Sequence, residues 1–188
     1  MAAKARVEAL RASGRTIVDF TLGEPDFATP EHIVNAGIEA LRFGQTKYTS
    51  SMGTLDLRKS IAQKLQRENS LTYDLNQIVV GCGAKHVIFN ALSVSLEIGD
   101  EVIIPAPYWV SYPDMVSING GIPVIVPCFA EQGFKLQAAQ LEASITPRTK
   151  WLVLNTPNNP TGAVYSKDEL HALIEVLRRH PQVWLMTD

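Results

Sequence analysis

The chain has 188 residues, 46% hydrophobic and 19% charged, with a net charge of −2 and a pI of about 6.1. Those values are ordinary for a soluble globular protein of one domain or slightly more, long enough to bury a core. They exclude a basic nucleic-acid surface, and no apolar run approaches the roughly 18 residues of a membrane span.

The opening stretch MAAKARVEALRASGR lacks the apolar centre of a leader peptide. Within it, ARVEALRASG has helical periodicity and a glycine stop. TIVDFTL (16–22) reads as a short extended piece and GEPDFATP as a turn-rich loop. Thr29 is placed to cap a helix with Pro30 at its first position, running to about Phe43. After the loop GQTKYTSSMG, an amphipathic helix is expected from about Thr54 to Asn69, with Leu57, Ile61 and Leu65 on one face.

From there the pattern alternates. QIVVG, EVIIP, IPVIVP, KWLVLN and VWLMTD read as strands. AKHVIFNALSVSLE, YPDMVSING, LQAAQLEASI and SKDELHALIEVLRRH read as the intervening helices, the last opening with a capping box from Ser166 to Glu169. The expected class is α/β, a three-layer αβα arrangement around a mainly parallel sheet. The first 45 residues are assigned to an N-terminal segment of a smaller domain and its connection, and residues 46–188 to the front part of a larger domain. An ending directly after an apolar strand leads us to expect the front portion of a longer protein.

In such a sheet the loops at the C-terminal strand ends build the site. In Gly81-Cys82-Gly83-Ala84-Lys85 small residues open a helix, so backbone N–H groups and the helix dipole can meet a phosphate; a tight strand-to-helix turn is the plain alternative. A dinucleotide site fits poorly, because His86 stands where a third glycine belongs. In PAPYWVSYP, Trp109 can stack on a flat ring or simply pack in the core. In NTPNNPTGAVY, Asn155, Asn158 and Asn159 offer neutral donors and acceptors, one of which could meet a phenolate oxygen; a well-capped turn is the alternative. Asp188, after WLMT, is a costly carboxylate at a buried strand end unless a cation pairs with it, and a protonated ring nitrogen is one such cation; helix capping or simple exposure at a chain end is the alternative. Together the four loops outline the needs of pyridoxal phosphate. Cys82 and Cys128 have no metal spacing and read as reduced thiols of a cytoplasmic protein. His32, His86, His171 and His180 form no ligand cluster, so no metal is expected.

The ordered set LGEPDFATP, KYTSSMG, GAK, PYWVSYP, NTPNNPTGAVY and the terminal Asp resembles class I aminotransferases of fold type I. Within that family it is most similar to bacterial aspartate aminotransferases, including the subgroup that also acts on prephenate. The resemblance implies pyridoxal 5′-phosphate, with its phosphate at Gly83, Ala84 and Lys85. It implies Trp109 on the ring, Asn159 at the ring oxygen and Asp188 at the ring nitrogen. Tyr48 would reach the phosphate of a neighbouring subunit, so a homodimer with shared sites is implied. Gly23 would touch the carboxylate end of the substrate, and Lys85 would favour acidic substrates, with Trp109 and Asn159 also facing substrate. Cis peptides are implied at Ala106–Pro107 and Asn159–Pro160. The implied activity is transfer of an amino group between L-aspartate, or a similar amino acid, and 2-oxoglutarate, in amino-acid metabolism.

The resemblance also places the lysine that bonds to the cofactor, and the arginines for phosphate and α-carboxylate, on later segments. The chain alone is therefore expected not to transaminate at a useful rate. The alternatives are a prephenate or aromatic aminotransferase and a lyase, decarboxylase or synthase on the same scaffold. A non-enzymatic sensing domain and a nicotinamide-dependent oxidoreductase are disfavoured.

Overall fold

Val102, Ile103 and Ile104 in one strand and Leu152, Val153 and Leu154 in another are all buried. Six apolar side chains that alternate between two faces need cover on both, and each buried one stabilises by about 1.5–3 kcal/mol. That demand sets the architecture. The structure, a computed structural model, describes residues 2–19, 23 and 25–188. The strands are β1 (Glu101–Ala106), β2 (Ile122–Pro127), β3 (Thr149–Leu154) and β4 (Trp184–Thr187). They form one parallel sheet in the order β2-β1-β3-β4.

The helices are α1 (Ala2–Ala12), α2 (Glu31–Arg42), α3 (Leu55–Asn69), α4 (Ala84–Ser95), α5 (Ser111–Ile118), α6 (Ala138–Ser144) and α7 (Lys167–Arg179). Val102, Ile104 and Val153 meet Ile88 and Leu92 of α4 and Tyr112, Met115 and Val116 of α5. Ile103, Leu152 and Leu154 meet Leu141 of α6 and Leu173 and Val176 of α7 on the opposite face. The three-layer α/β expectation is met.

The chain divides into two compact units, Met1–Thr49 and Ser50–Asp188. The first carries α1 and α2, with an Arg11–Asp19 ion pair at 3.4 Å. The second carries everything from α3 onward. Ser166 caps α7 as expected, accepting from Glu169 N–H while the Glu169 carboxylate accepts from Ser166 N–H. Lys135 donates to Glu169 at 2.5 Å, and this bond, helped by the cap, holds the carboxyl at about 2.

Three expectations are corrected or fall outside the described residues. QIVVG is not a strand. Val80 N–H donates to Met52 C=O at 3.1 Å, and Val79 is exposed, so the segment has no ladder partner to make it one. Pro30, not Thr29, is the N-cap of α2, and no side chain caps it. Thr16–Asp19 has no regular structure, and positions 20–22 lie outside the described residues.

Candidate active site

The strand order creates the site before any side chain is considered. From β1 the chain crosses to β2 on one side; β3 then pairs with β1 on the other. The loops leaving β1 and β3 therefore diverge, and a crevice opens between them at the C-terminal strand ends. A cleft of about 260 Å³ lies there, lined by Ala84, Lys85, Trp109, Tyr112, Asn155, Asn159 and Asp188. All seven belong to the Ser50–Asp188 unit.

Two of the three asparagines in NTPNNPTGAVY are used up as scaffold. The Asn155 carboxamide donates to Asp188 C=O at 2.8 Å and accepts from Asn159 N–H at 2.6 Å. Thr156 N–H also donates to Asp188 C=O, and Asp188 N–H to Leu154 C=O, so the end of β4 is stitched to the end of β3. Asn158 donates to Pro107 C=O at 3.2 Å, joining this loop to the one after β1, and accepts from Thr161 N–H and its hydroxyl. The Asn159 side chain has no hydrogen-bond partner among the described residues and lines the cleft. The peptide bonds Ala106–Pro107, Thr156–Pro157 and Asn159–Pro160 are cis. The resemblance implied the first and third.

Tyr112 is the residue that sequence reasoning did not single out. It is a buried residue of the first turn of α5, and its hydroxyl donates to Asp188 Oδ2 in a short bond. Burial first, then the bond to Asp188 and its charge, push the Tyr112 phenol above its ordinary range. Trp109 meets the Tyr112 ring edge-on, centroids 5.2 Å apart, and the Lys85 ammonium lies 4.8 Å from the centre of the Trp109 ring. The only sequence signal for Tyr112 was its place three residues after Trp109, one helical turn away.

At the opposite wall, Gly83 is the N-cap of α4 at φ +92°, a conformation that favours glycine. His86 and Val87 N–H donate back to Gly83 C=O. The Ala84 and Lys85 N–H groups precede the first intrahelical bond and have no acceptor among the described residues. One wall thus offers free N–H donors, a helix dipole and a lysine; the other offers a carboxylate with one oxygen committed to Tyr112. Such a cleft suits a flat molecule that is anionic at one end and protonatable at the other.

Of the positions singled out in the sequence, Ala84, Lys85, Trp109, Asn159 and Asp188 are brought together, with Gly83 adjoining them. Tyr48 and Gly23 belong to the N-terminal unit and are exposed.

The family model for "Aminotransferase class I and II" matches residues 15–188. The chain belongs to that family. It is 52% identical over 184 residues to an aspartate aminotransferase of Rhizobium meliloti, covering 98% of this chain and 45% of that protein. It is 55% identical over 179 residues to an aspartate/prephenate aminotransferase of Cereibacter sphaeroides, covering 95% and 45%. Among solved structures it superposes on the Rhizobium meliloti aspartate aminotransferase with a TM-score of 0.95 at 52% identity, covering 98% of this chain and 46% of that one. The aspartate aminotransferase of Thermus thermophilus with maleate matches with a TM-score of 0.94 at 45% identity, covering 100% and 49%. This aminotransferase chain spans about half the length of the curated relatives it matches. Among its described residues no helix is long and apolar enough to cross a membrane, and no cluster of metal-ligating side chains occurs.

Proposed function

We propose that this chain supplies one wall of the pyridoxal 5′-phosphate site of an aspartate aminotransferase that moves an amino group between L-aspartate, or a similar acid, and 2-oxoglutarate. One observation carries the reading: free helix N–H groups, Trp109, Asn159 and Asp188 surround a single cleft. The fit to the cofactor rests on the same geometry. Ala84 and Lys85 N–H groups and the α4 dipole would bind its phosphate. Trp109 would cover the ring, and the unpartnered Asn159 carboxamide would donate to the ring oxygen. Asp188 would hold a proton on the ring nitrogen, oriented by Tyr112 and by the Asn155 bond to its backbone.

When bound, the cofactor supplies the electron sink that lets an amino acid's α-proton leave. The chain's contribution is to keep that sink charged and flat. A carboxylate beside the ring nitrogen favours its protonated form. Trp109, braced edge-on by Tyr112, keeps the ring from tilting.

Lys85 would draw acidic substrates, in keeping with maleate, a dicarboxylate, in the Thermus relative. The Cereibacter relative's name favours prephenate as a second acceptor. Residues 46–188 would be the front of the cofactor-binding domain. Gly23 would touch substrate, and Tyr48 would reach a neighbouring subunit's phosphate in a cytoplasmic homodimer. The chain alone would not turn over aspartate and 2-oxoglutarate at a useful rate, since none of its lysines lies in the segment where the resemblance puts the cofactor-bonded one.

The test is equilibrium binding of pyridoxal 5′-phosphate to the purified chain, followed by borohydride and intact mass. Saturable binding that Trp109→Ala weakens, with a mass that stays near 20.7 kDa, supports the reading. No saturable binding would overturn it.

A further inference from the structure

His86 lies at the third helical position of α4 and turns back toward the loop that precedes it. Its Nδ1 accepts from Cys82 N–H at 3.0 Å, and its Nε2 lies 3.0 Å from the Asn90 carboxamide nitrogen. The ring also packs on the loop: a Cβ built on Gly81 would fall 3.1 Å from His86 Nδ1 and 2.7 Å from Val87 Cγ2. A donor on Nδ1 leaves that nitrogen without a proton. The neutral ring then carries its proton on Nε2, and the Asn90 carboxamide must turn its oxygen to meet it. The chain Cys82, His86, Asn90 runs at four-residue intervals from the loop before α4 into the helix.

This arrangement is one half of a capping box, shifted by one residue; the other half is missing, since no side chain caps α4. In the usual form the side chain at the third helical position, Glu or Gln, accepts from the N-cap N–H. Here the N-cap is Gly83. The acceptor takes the N–H of Cys82 instead, and Gly83 N–H, with those of Ala84 and Lys85, has no acceptor among the described residues. The acceptor is also neutral. A glutamate at this position would satisfy the loop while setting a negative charge beside an anion seat.

We propose that His86 is a positioning residue for a phosphate group at the start of α4. It fixes the Gly81–Gly83 loop from behind, keeps the donors of Gly83, Ala84 and Lys85 turned outward, and adds no charge that would oppose the phosphate. The inference rests on the cofactor reading given above.

The experiment compares His86→Ala, His86→Asn and His86→Asp in the 188-residue chain, each titrated with pyridoxal 5′-phosphate and with pyridoxal, which lacks the phosphate. Asn places its oxygen as many bonds from Cα as His places Nδ1. Asp does the same with a charge. His86→Ala is expected to weaken binding of the phosphorylated ligand about three- to tenfold, the usual effect of one hydrogen bond. His86→Asn restores it, and His86→Asp binds more weakly than Asn. None of the three changes pyridoxal binding. Asp is the best helix opener of the three substitutions, so a purely structural role would rank it highest; that ranking would overturn the proposal. So would an Ala variant that binds like the wild type. If the Ala variant does not fold, the Asn and Asp pair still decides. A wild-type chain that binds the two ligands equally would overturn the phosphate seat itself, a different failure. Without any ligand, Cys82 amide exchange should be slower in the wild type and the Asn variant than in the Ala variant.

Discussion

The sheet has a carboxylate at each end, and the two are treated in opposite ways. Glu101 opens β1 at the N-terminal end and is 5% exposed. Its Oε1 accepts from Arg148 Nε and Nη2 at 3.1 and 2.7 Å, and its Oε2 from the Thr146 and Thr149 hydroxyls at 2.5 and 3.4 Å. Nothing is left over. Asp188 follows β4 at the C-terminal end, with one oxygen bonded to Tyr112 and the carboxylate lining a cleft. A saturated carboxylate is part of the scaffold. A half-satisfied one beside a cleft is available to a ligand. Burial and donors separate them together: Glu101 is buried and takes four hydrogen bonds, whereas Asp188 is exposed and its carboxylate takes one among the described residues.

The sharpest way to break that comparison is to remove each carboxylate and ask what is lost. Glu101→Ala should destabilise the chain by about 2–3 kcal/mol, at the low end for a buried pair because Arg148 is 66% exposed and can be rehydrated. Chemical denaturation measures it, and cofactor affinity should stay as it was. The pair also has a pH signature. The Thr146 bond first, then Arg148, hold the Glu101 carboxyl below its ordinary 4.5. A depressed folded-state value means the stabilisation is complete above about 4.5 and is lost as the pH falls through the lower, folded-state value. Stability measured from pH 6 downward should therefore fall less in Glu101→Gln than in the wild type.

Asp188→Asn is the mirror experiment. Affinity for pyridoxal 5′-phosphate should drop by about ten- to 150-fold, the range for a bond to a charged group, with less than about 1 kcal/mol of stability lost. A stability loss matching that of Glu101→Ala would put both carboxylates in the scaffold. A finer contrast lies between neighbouring asparagines. Asn159→Ala should weaken cofactor binding about three- to fivefold and leave the melting transition in place. Asn155→Ala should lower stability by about 1 kcal/mol, since its carboxamide joins Asp188 to Asn159.

Composition and spacing could not rank these three asparagines; only the resemblance picked out Asn159. All stand in one loop, and which are consumed as scaffold depends on partners in other loops, as with Asn158 and Pro107. What could be read ahead was local or periodic: the apolar runs of β1 and β3, the Ser166 box, the glycines before α4. Tyr112 was out of reach for the same reason as the asparagines, because its partner is 76 residues away. QIVVG failed in the other direction. It has the composition of a strand, but a strand is defined by a neighbour, and among the described residues Val80 N–H meets Met52 C=O without a ladder following from it.

The smallest effect tests the Tyr112–Asp188 bond directly. Two tyrosines are raised well above the ordinary 10.0, and each belongs to a different face of the sheet. Tyr165 is pushed up to about 12, mainly by burial, while its hydroxyl accepts from Leu136 N–H at 2.8 Å. Tyr112 is raised by burial first and by Asp188 second. A raised phenol stabilises the fold fully below its ordinary value, and that contribution is lost as the pH rises through the folded-state value. In an alkaline absorbance titration, Asp188→Asn should lower Tyr112 part of the way, because burial remains, and leave Tyr165 unmoved. Full return of Tyr112 to 10.0 would mean that burial is not its main cause. No movement would mean that the carboxylate does not hold the phenol, and Asp188 would then depend on the Asn155 bond to its backbone for its orientation.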